Sequence, residues 1–291
     1  MTEQNITYYR QVKNPFPKFV VPKKKGSDQE KATLPFNKKL MAKAAGLTER
    51  FAFALFVAFA RSQGKRFRMP PPLRLRALEA LIQAICYHYD PLLNRVNASL
   101  TTIAIECGLA TETNKSGVSI TRATRALRSL AEDFGLVTYS MKNFDSEIGC
   151  YMPTDITFTP AFFEALDISP EAVAAARTGR AEWKNKQRER RGQSRLDIGE
   201  LISQGWSKFH TRFKENRLKR KVEGEERARA KRDAERSRKE VELSVRAQVN
   251  REIRQGKHLS LTFSGVKELI EERVMIRMVK SRRYTTRLSI A

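Results

Sequence analysis

The sequence predicts a mainly α protein with a small β-hairpin wing: a winged helix-turn-helix domain followed by a basic, helical C-terminal region. Three observations carry this. Residues 99–134 read as helix, turn, helix; residues 136–159 read as two β-rich runs about a turn; and a formal charge of +24 falls mostly after them. A winged helix-turn-helix lays its second helix in the DNA major groove, so double-stranded DNA is the expected partner.

The elements follow in order along the chain. Residues 1–35 carry Pro15, Pro17, Pro22 and the run Lys23-Lys24-Lys25-Gly26, the composition of a mobile basic arm. Residues 36–69 add one or two N-terminal helices, broken near Gly46 with Thr48 as the new cap. Within them FAFALFVAFA (residues 51–60) is too short to span a bilayer and sits between Arg50 and Arg61. It is expected as a core helix, with Phe51, Leu55 and Phe59 on one face, and it is also open to use as an interface. The winged-helix domain is placed at 70–160. Pro70, Pro71 and Pro72 close off what precedes a strongly apolar helix over 73–89, which Asp90-Pro91 ends. Residues 95–97 are long enough for a one-rung strand. Residues 101–107 form the first helix of the pair, with Gly108 as its stop.

The second helix is expected over 119–134. Ser119 or Thr121 can cap it. Ile120, Ala123, Leu127, Leu130 and Phe134 recur at spacings of three and four and define its apolar face. Thr121, Arg122, Thr124, Arg125, Arg128 and Ser129 occupy the other face, and Gly135 supplies a left-handed stop. Arg122 and Arg125 lie near its start, where recognition helices reach base edges; an Arg fork bonds guanine O6 and N7 together. The wing runs through residues 136–141 and 150–159, with Lys142 and Asn143 placed to meet the adjacent backbone or minor groove. Ser119, Thr121, Arg122, Thr124, Arg125, Arg128, Lys142 and Asn143 are therefore the candidate DNA-binding residues. An ordinary amphipathic helix with a solvated basic face would share this pattern, and the flanking elements favour the DNA reading.

Residues 161–195 are expected as a connecting basic helix, helical from 162 to 187 after Pro160. Residues 196–291 form a basic helical region. From residue 177 onward there are 33 Lys and Arg against 16 Asp and Glu, a surplus of 17 out of 24. One long helix is expected over 223–254, with Val245, Val249 and Ile253 as a narrow apolar stripe and many charges at i, i+4. A last helix near 265–280 has enough apolar residues to pack back on it. This region reads either as a solvated helix leaning on its neighbours or as a second DNA-contacting surface. Convincing strand pairs for a second winged helix are missing.

Several chemistries find no support. There is no G-x-x-x-x-G-K-[ST], so no P-loop ATPase is visible, and no G-x-S-x-G or Cys/His nucleophile motif. Cys86, Cys107 and Cys150 are far apart and the three His are scattered, so neither disulfides nor zinc-ligand spacing is expected. A rolling-circle nickase needs a His pair separated by one hydrophobic residue. Cys86-Tyr87-His88-Tyr89-Asp90 offers one His, read instead as packed near a helix C-terminus. No cofactor, metal or catalytic residue is expected. Residues 1–19 are polar and Pro-interrupted, so no signal peptide is read and the cytoplasm is the expected location.

The chain also resembles the RepA replication initiators of IncFII-type plasmids. The resemblance rests on Tyr8-Tyr9-Arg10-Gln11-Val12-Lys13-Asn14-Pro15, Arg68-Met69-Pro70-Pro71 and His88-Tyr89-Asp90-Pro91. It continues through residues 105–112 (IECGLATE), 119–127 (SITRATRAL) and 153–159 (PTDITFT), covers most of the chain and is densest over 68–187. It implies a protein that binds its plasmid's origin, brings in host replication proteins such as DnaA and DnaB, and sets copy number. Self-association on DNA is a further expectation. A winged-helix transcription regulator is the alternative from another class, and an origin-nicking endonuclease the enzymatic one.

Overall fold

The computed structural model describes residues 13–24, 26–113, 117–140, 144–146, 150–152, 154–257 and 262–287. The protein is mainly helical, with small antiparallel strand pairs. Two compact units divide the chain, Met1–Ser207 and Lys208–Ala291. The segments expected at 36–69, 70–160 and 161–195 all belong to the first.

The first unit is organised around one helix. α1 (Pro35–Ala44), a 3₁₀ turn (Leu47–Glu49) and α2 (Phe51–Ser62) precede α3 (Pro72–Tyr87). Pro72 opens α3 where its missing N–H costs nothing. Ala77, Leu78, Ala80, Leu81, Ile82, Ala84, Ile85 and Cys86 are all buried, so α3 is apolar nearly all round and belongs inside. Each of its larger aliphatic side chains contributes about 2 kcal/mol by leaving water. Its last carbonyls have no partner within the helix. The Tyr87 carbonyl accepts from Thr33 Oγ1 (2.8 Å) and Asn37 Nδ2 (2.9 Å), and Asn37 Nδ2 also donates to the Tyr89 carbonyl (2.7 Å).

The Thr33 contact belongs to a strap that differs from the mobile arm expected over 1–35. From residue 13 its described part lies along the first unit. Val20 N–H donates to the Glu106 carbonyl, the Phe19 ring sits 5.3 Å from Tyr87, and Tyr87 OH donates to the Lys31 carbonyl (2.7 Å). α2 is a core helix on one side only, with Phe51, Leu55 and Phe59 sharing a face as expected. It buries Phe53, Val57 and Ala60 and leaves Phe51, Leu55 and Phe59 exposed. Every residue of FAFALFVAFA is apolar, so periodicity has no polar residue to mark the solvent side. Nor does Thr48 cap α2; Arg50 is the N-cap, and the Thr48 hydroxyl donates to Glu79.

Beyond α3, β1 (Tyr89–Asp90) pairs with β2 (Arg95–Val96), followed by α4 (Leu100–Glu106), β3 (Thr111–Thr113), β4 (Gly117–Ser119) and α5 (Thr121–Arg128). β5 (Val137–Tyr139) pairs antiparallel with β8 (Ile156–Phe158), in the register Val137 opposite Phe158 and Tyr139 opposite Ile156. β6 (Phe144–Asp145) and β7 (Cys150–Tyr151) pair between them. Tyr89 stacks on Phe158 at 4.5 Å, and Phe162 and Phe163 complete that aromatic cluster. The helix expected over 162–187 is two, α6 (Pro160–Ala165) and α7 (Pro170–Glu189). Asp167 at φ +54° ends the first, and Ser169, capping Ala172 N–H, starts the second.

α8 (Ile198–Ala234) contains the division between the units. In the second unit α9 (Arg238–Arg254) packs on α10 (Phe263–Arg287) through Val241, Val245, Val249 and Val274, with Ile253 and Ile270 at the margin. The apolar stripe and the returning last helix agree with the sequence reading. The single helix over 223–254 does not, because Ser237 and Glu240 form a capping box that restarts the chain as α9. Asp233, buried at the end of α8, takes a two-pronged bond from Arg277 of α10 at 2.6 and 2.7 Å. That pair is shielded from water, so losing either partner strands a charge.

The capping box yields a pH-dependent prediction. Bonds from the Ser237 backbone and hydroxyl hold the Glu240 carboxyl below its ordinary value. A depressed carboxyl stabilises the fold above its unfolded value and loses that contribution as pH falls through the folded one. Ser237→Ala is expected to cost about 1 kcal/mol at neutral pH. In urea unfolding followed by circular dichroism, the gap between variant and parent should narrow as pH falls below the usual carboxylate range.

Candidate nucleic-acid interface

The site is built on α4 and α5. Ser99 caps α4 by accepting from Thr102 N–H (3.1 Å), and Gly108, at φ +64°, turns the chain at its other end. Where the sequence suggested a plain turn, β3 and β4 pair Thr111 with Ser119 and Glu112 with Val118 before α5 begins. Ser119 is thereby committed to a strand. Neither it nor Thr121 caps α5: Ile120 is the N-cap, without a side-chain bond, and the two hydroxyls lie 3.1 Å from each other. α5 passes into a π-helical turn, Ser129–Asp133, and Gly135 at φ +64° provides the expected stop. Ala123, Leu127, Leu130 and Phe134 are buried, as their spacing predicts, and the Phe53 ring lies 5.1 Å from Phe134.

The opposite face of α5 sorts the candidates. Thr121, Thr124, Arg125 and Arg128 are exposed, and Ser119 is half-buried at the edge. Arg128 Nε stands 3.7 Å from Glu132, a carboxylate that also accepts from Tyr139 OH (2.6 Å). Arg122 does not project with the others. Its Nη1 donates to the Asn14 carbonyl at 2.6 Å, its Nη2 is buried, and burial lowers its pKa. Asn14 in turn donates through Nδ2 to the Gly108 carbonyl (3.0 Å). One strap residue thus joins the end of α4 to the start of α5, with Arg122 as the tie. Lys142 and Asn143 lie outside the described residues.

Sequence reasoning missed two members of this surface. Arg74, at the start of α3, has its pKa lowered first by burial, then by the charges of Arg125 and Arg66, with Arg122 contributing and Asp133 opposing. Arg66 is bonded to Asp133 and lies over the Phe134 ring at 5.7 Å. Four guanidinium groups from a loop, α3 and α5 therefore share one field, and Asp133 is the carboxylate that offsets it. A concentration of like charge of this kind attracts anions, phosphate above all. The available signal was the Arg66, Arg68, Arg74 and Arg76 cluster about the proline run, which adjoins α5 only through the tertiary fold.

Other candidate chemistry resolves differently. His88 Nε2 lies 2.7 Å from Glu106 Oε2, beside a cleft that Asn37, Asp90 and Trp183 also line. Among the described residues no three His, Cys, Asp or Glu side chains gather as metal ligands. Cys86 and Cys107 are buried and free; burial pushes the Cys86 thiol far up and Cys107 to about 12. Such thiols stay protonated and make poor nucleophiles.

Comparison with known proteins now becomes specific. The model of the IncFII RepA protein family matches residues 7–282. A "Replication initiation protein" of Escherichia coli is 52% identical over 292 residues, covering 100% of this chain and 99% of its own. A "Probable replication-associated protein repA1" of Buchnera aphidicola subsp. Schizaphis graminum is 40% identical over 122 residues, 42% of this chain and 43% of its own. The comparison with solved structures finds no match. The protein is thus a relative of replication proteins along its whole length. It belongs to the IncFII RepA protein family.

The strap contact makes Gly108 special among the turn glycines. A Cβ there would fall 2.5 Å from Asn14 Nδ2, whereas one at Gly135, with the same φ, meets nothing within 4 Å. Left-handed strain costs either Ala variant about 1–2 kcal/mol. Gly108→Ala is expected to lower the urea midpoint clearly further than Gly135→Ala, because it also displaces Asn14 from Arg122.

Proposed function

We propose that the protein is a plasmid replication initiator that binds double-stranded DNA of its plasmid's origin. The carrying observation is 52% identity over the full chain to a protein named for replication initiation. In this reading α4 and α5 are the paired helices of a winged helix-turn-helix, and the β5–β8 hairpin is its wing. Thr121, Thr124, Arg125 and Arg128 face the major groove, with Arg125 best placed to read a base edge. Arg66 and Arg74 neutralise phosphates beside it, and Arg122 holds the helix in position instead of contacting a base. Lys142 and Asn143, outside the described residues, remain candidates for contact with the adjacent backbone or minor groove in this reading.

The basic second unit adds phosphate contacts, which set affinity and register but carry little sequence information. Copies bound at the origin store bending energy that favours opening at flexible A·T steps. Host proteins such as DnaA and DnaB then act on the opened strand, and supply of the initiator sets copy number. The chain itself works by binding, without a catalytic step, and any ATP-driven work belongs to those partners. No helix among the described residues is long and apolar enough to cross a membrane, and cytoplasmic action follows from the role.

Two measurements test this. In mobility-shift titrations on an origin fragment, Arg125→Ala is expected to cost roughly 1–3 kcal/mol and relax specificity at one position, with the unfolding midpoint unchanged. Arg122→Ala is expected to lower that midpoint as well, by about 1–2 kcal/mol, because a charged hydrogen bond inside the unit is lost. Unchanged binding by Arg125→Ala and Arg128→Ala together would refute the assigned face. Neutralising exposed Lys and Arg of the second unit should weaken binding to all sequences and flatten the salt dependence, by a slope of about 0.9 per lost phosphate contact.

A further inference from the structure

The exposed side of α2 is an apolar surface of the first unit that the proposed DNA face leaves unused. Phe51, Leu55 and Phe59 are 79%, 45% and 65% exposed and form one ridge at four-residue steps. Ala54, Ala58 and Ser62 form a second, lower ridge beside it, all exposed. Phe67, 89% exposed, joins Ala58 and Ser62 around a shallow hollow of about 480 Å³ that Arg61 and Arg66 also line. No charged residue interrupts either ridge between Phe51 and Ala60. A tall aromatic ridge next to a trough of small residues is a shape that fits a copy of itself, since i±4 ridges pack into such grooves.

The charges at the two ends decide the occupant. Ridge residues 51, 55 and 59 are symmetric about Leu55, so a two-fold axis there sets two α2 helices antiparallel. Phe51 then faces Phe59 of the second copy, beside the hollow at Ala58. The same operation brings Glu49 opposite Arg61 of the second copy, twice. Glu49 is exposed just ahead of α2 and Arg61 is exposed in its last turn. Neither side chain has a bonding partner within the described chain. Parallel docking would instead oppose like charges.

We propose that this face of α2 is a two-fold contact between copies of the chain, with Leu55 at the axis and Glu49–Arg61 pairs at both rims. The two rings and Leu55 offer on the order of 400 Å² of apolar surface per copy. A total near 800 Å² is below the roughly 1,200 Å² of a standing complex. The contact is therefore too weak to hold a dimer in dilute solution and acts between copies already brought together. In that last respect it rests on the origin-binding reading, because adjacent sites on DNA supply the proximity.

The test uses the full chain with Cys150→Ser, since Cys86 and Cys107 are buried. Leu55→Cys is expected to give a disulfide-linked dimer on mild oxidation at high protein concentration, and at far lower concentration on an origin fragment. Glu164→Cys, on an exposed position of α6, should give none. Adding Glu49→Lys or Arg61→Glu alone should cut the dimer yield roughly fivefold or more, and combining the two should restore it. Absence of the Leu55→Cys dimer at high concentration, or failure of the double charge swap to rescue it, would overturn the proposal and leave the face to a different protein. Dimer formation at high concentration without enhancement by DNA would retain the surface and count against origin binding, so the two failures are distinguishable.

Discussion

The first unit depends on α3 having almost no face left for water. Residues 77–86 are buried except at Glu79 and Gln83, and both of these are spent locally. Glu79 accepts from Gly46 N–H (2.6 Å), and Gln83 donates to the Met41 carbonyl (3.0 Å). A helix so covered must be wrapped on every side, which obliges α1, α4, α5 and the strap to find places around it. It also exposes its C-terminal carbonyls to a dry environment, where unpaired groups are costly. Thr33 and Asn37 answer that cost, which explains why the strap runs where it does. The position of α5, and hence of every exposed side chain on it, is a consequence of this one burial requirement.

Around that helix the protein holds a cluster of guanidinium groups in mutual repulsion. Burial first, and then the charges of Arg125, Arg66 and Arg122, lower the affinity of Arg74 for its proton, with Asp133 as the offsetting carboxylate. A fold under selection for stability alone has no use for such an arrangement. Two of the four are secured in other ways, Arg66 by Asp133 and the Phe134 ring, Arg122 by the Asn14 carbonyl. Securing them keeps the repulsion from dispersing the cluster. Arg125, exposed on α5, stands beside this secured electropositive frame. Preorganised donors of this kind lower the ordering cost that binding a polyanion would otherwise incur.

Much of this was legible in the sequence where patterns are local. The burial of Ala123, Leu127, Leu130 and Phe134, the stops at Gly108 and Gly135, and the pairing of the runs that became β5 and β8 follow from spacing and turn chemistry. What escaped has identifiable causes. The cap at Ser237 was written as S-x-x-E and was passed over because charge alternation continues through it. Ser119 was assigned to a cap because nothing local shows that Thr111 will pair with it. Which face of α2 is buried is not legible in the sequence, because a uniformly apolar segment carries no phase. Arg122 looked identical to Arg125 because only the tertiary fold brings Asn14, 108 residues earlier, to its guanidinium. The family resemblance was the most informative part of the sequence for function, and it spoke to role without locating a single contact.

The charge distribution imposes a division of labour. Within the second unit 25 Lys and Arg stand against 12 Asp and Glu, and pairs such as Arg277–Asp233, Arg273–Glu252 and Lys280–Glu226 take one charge of each sign, so the surplus of 13 stands. Exposed charge of that density acts on any polyanion over about a Debye length, near 8 Å at physiological salt, and cannot tell one sequence from another. In the proposed origin-binding reading, discrimination falls to side chains set against base edges, and among the described residues those proposed for it are on one short helix. Strong non-specific attraction would mask so small a reading surface if a single copy had to find its site alone. Copies that also meet each other gain selectivity from spacing, because only correctly separated sites satisfy both contacts. A weak self-contact is better suited to this than a strong one, since a standing dimer would bind widely spaced, unrelated DNA with the full affinity of two basic units.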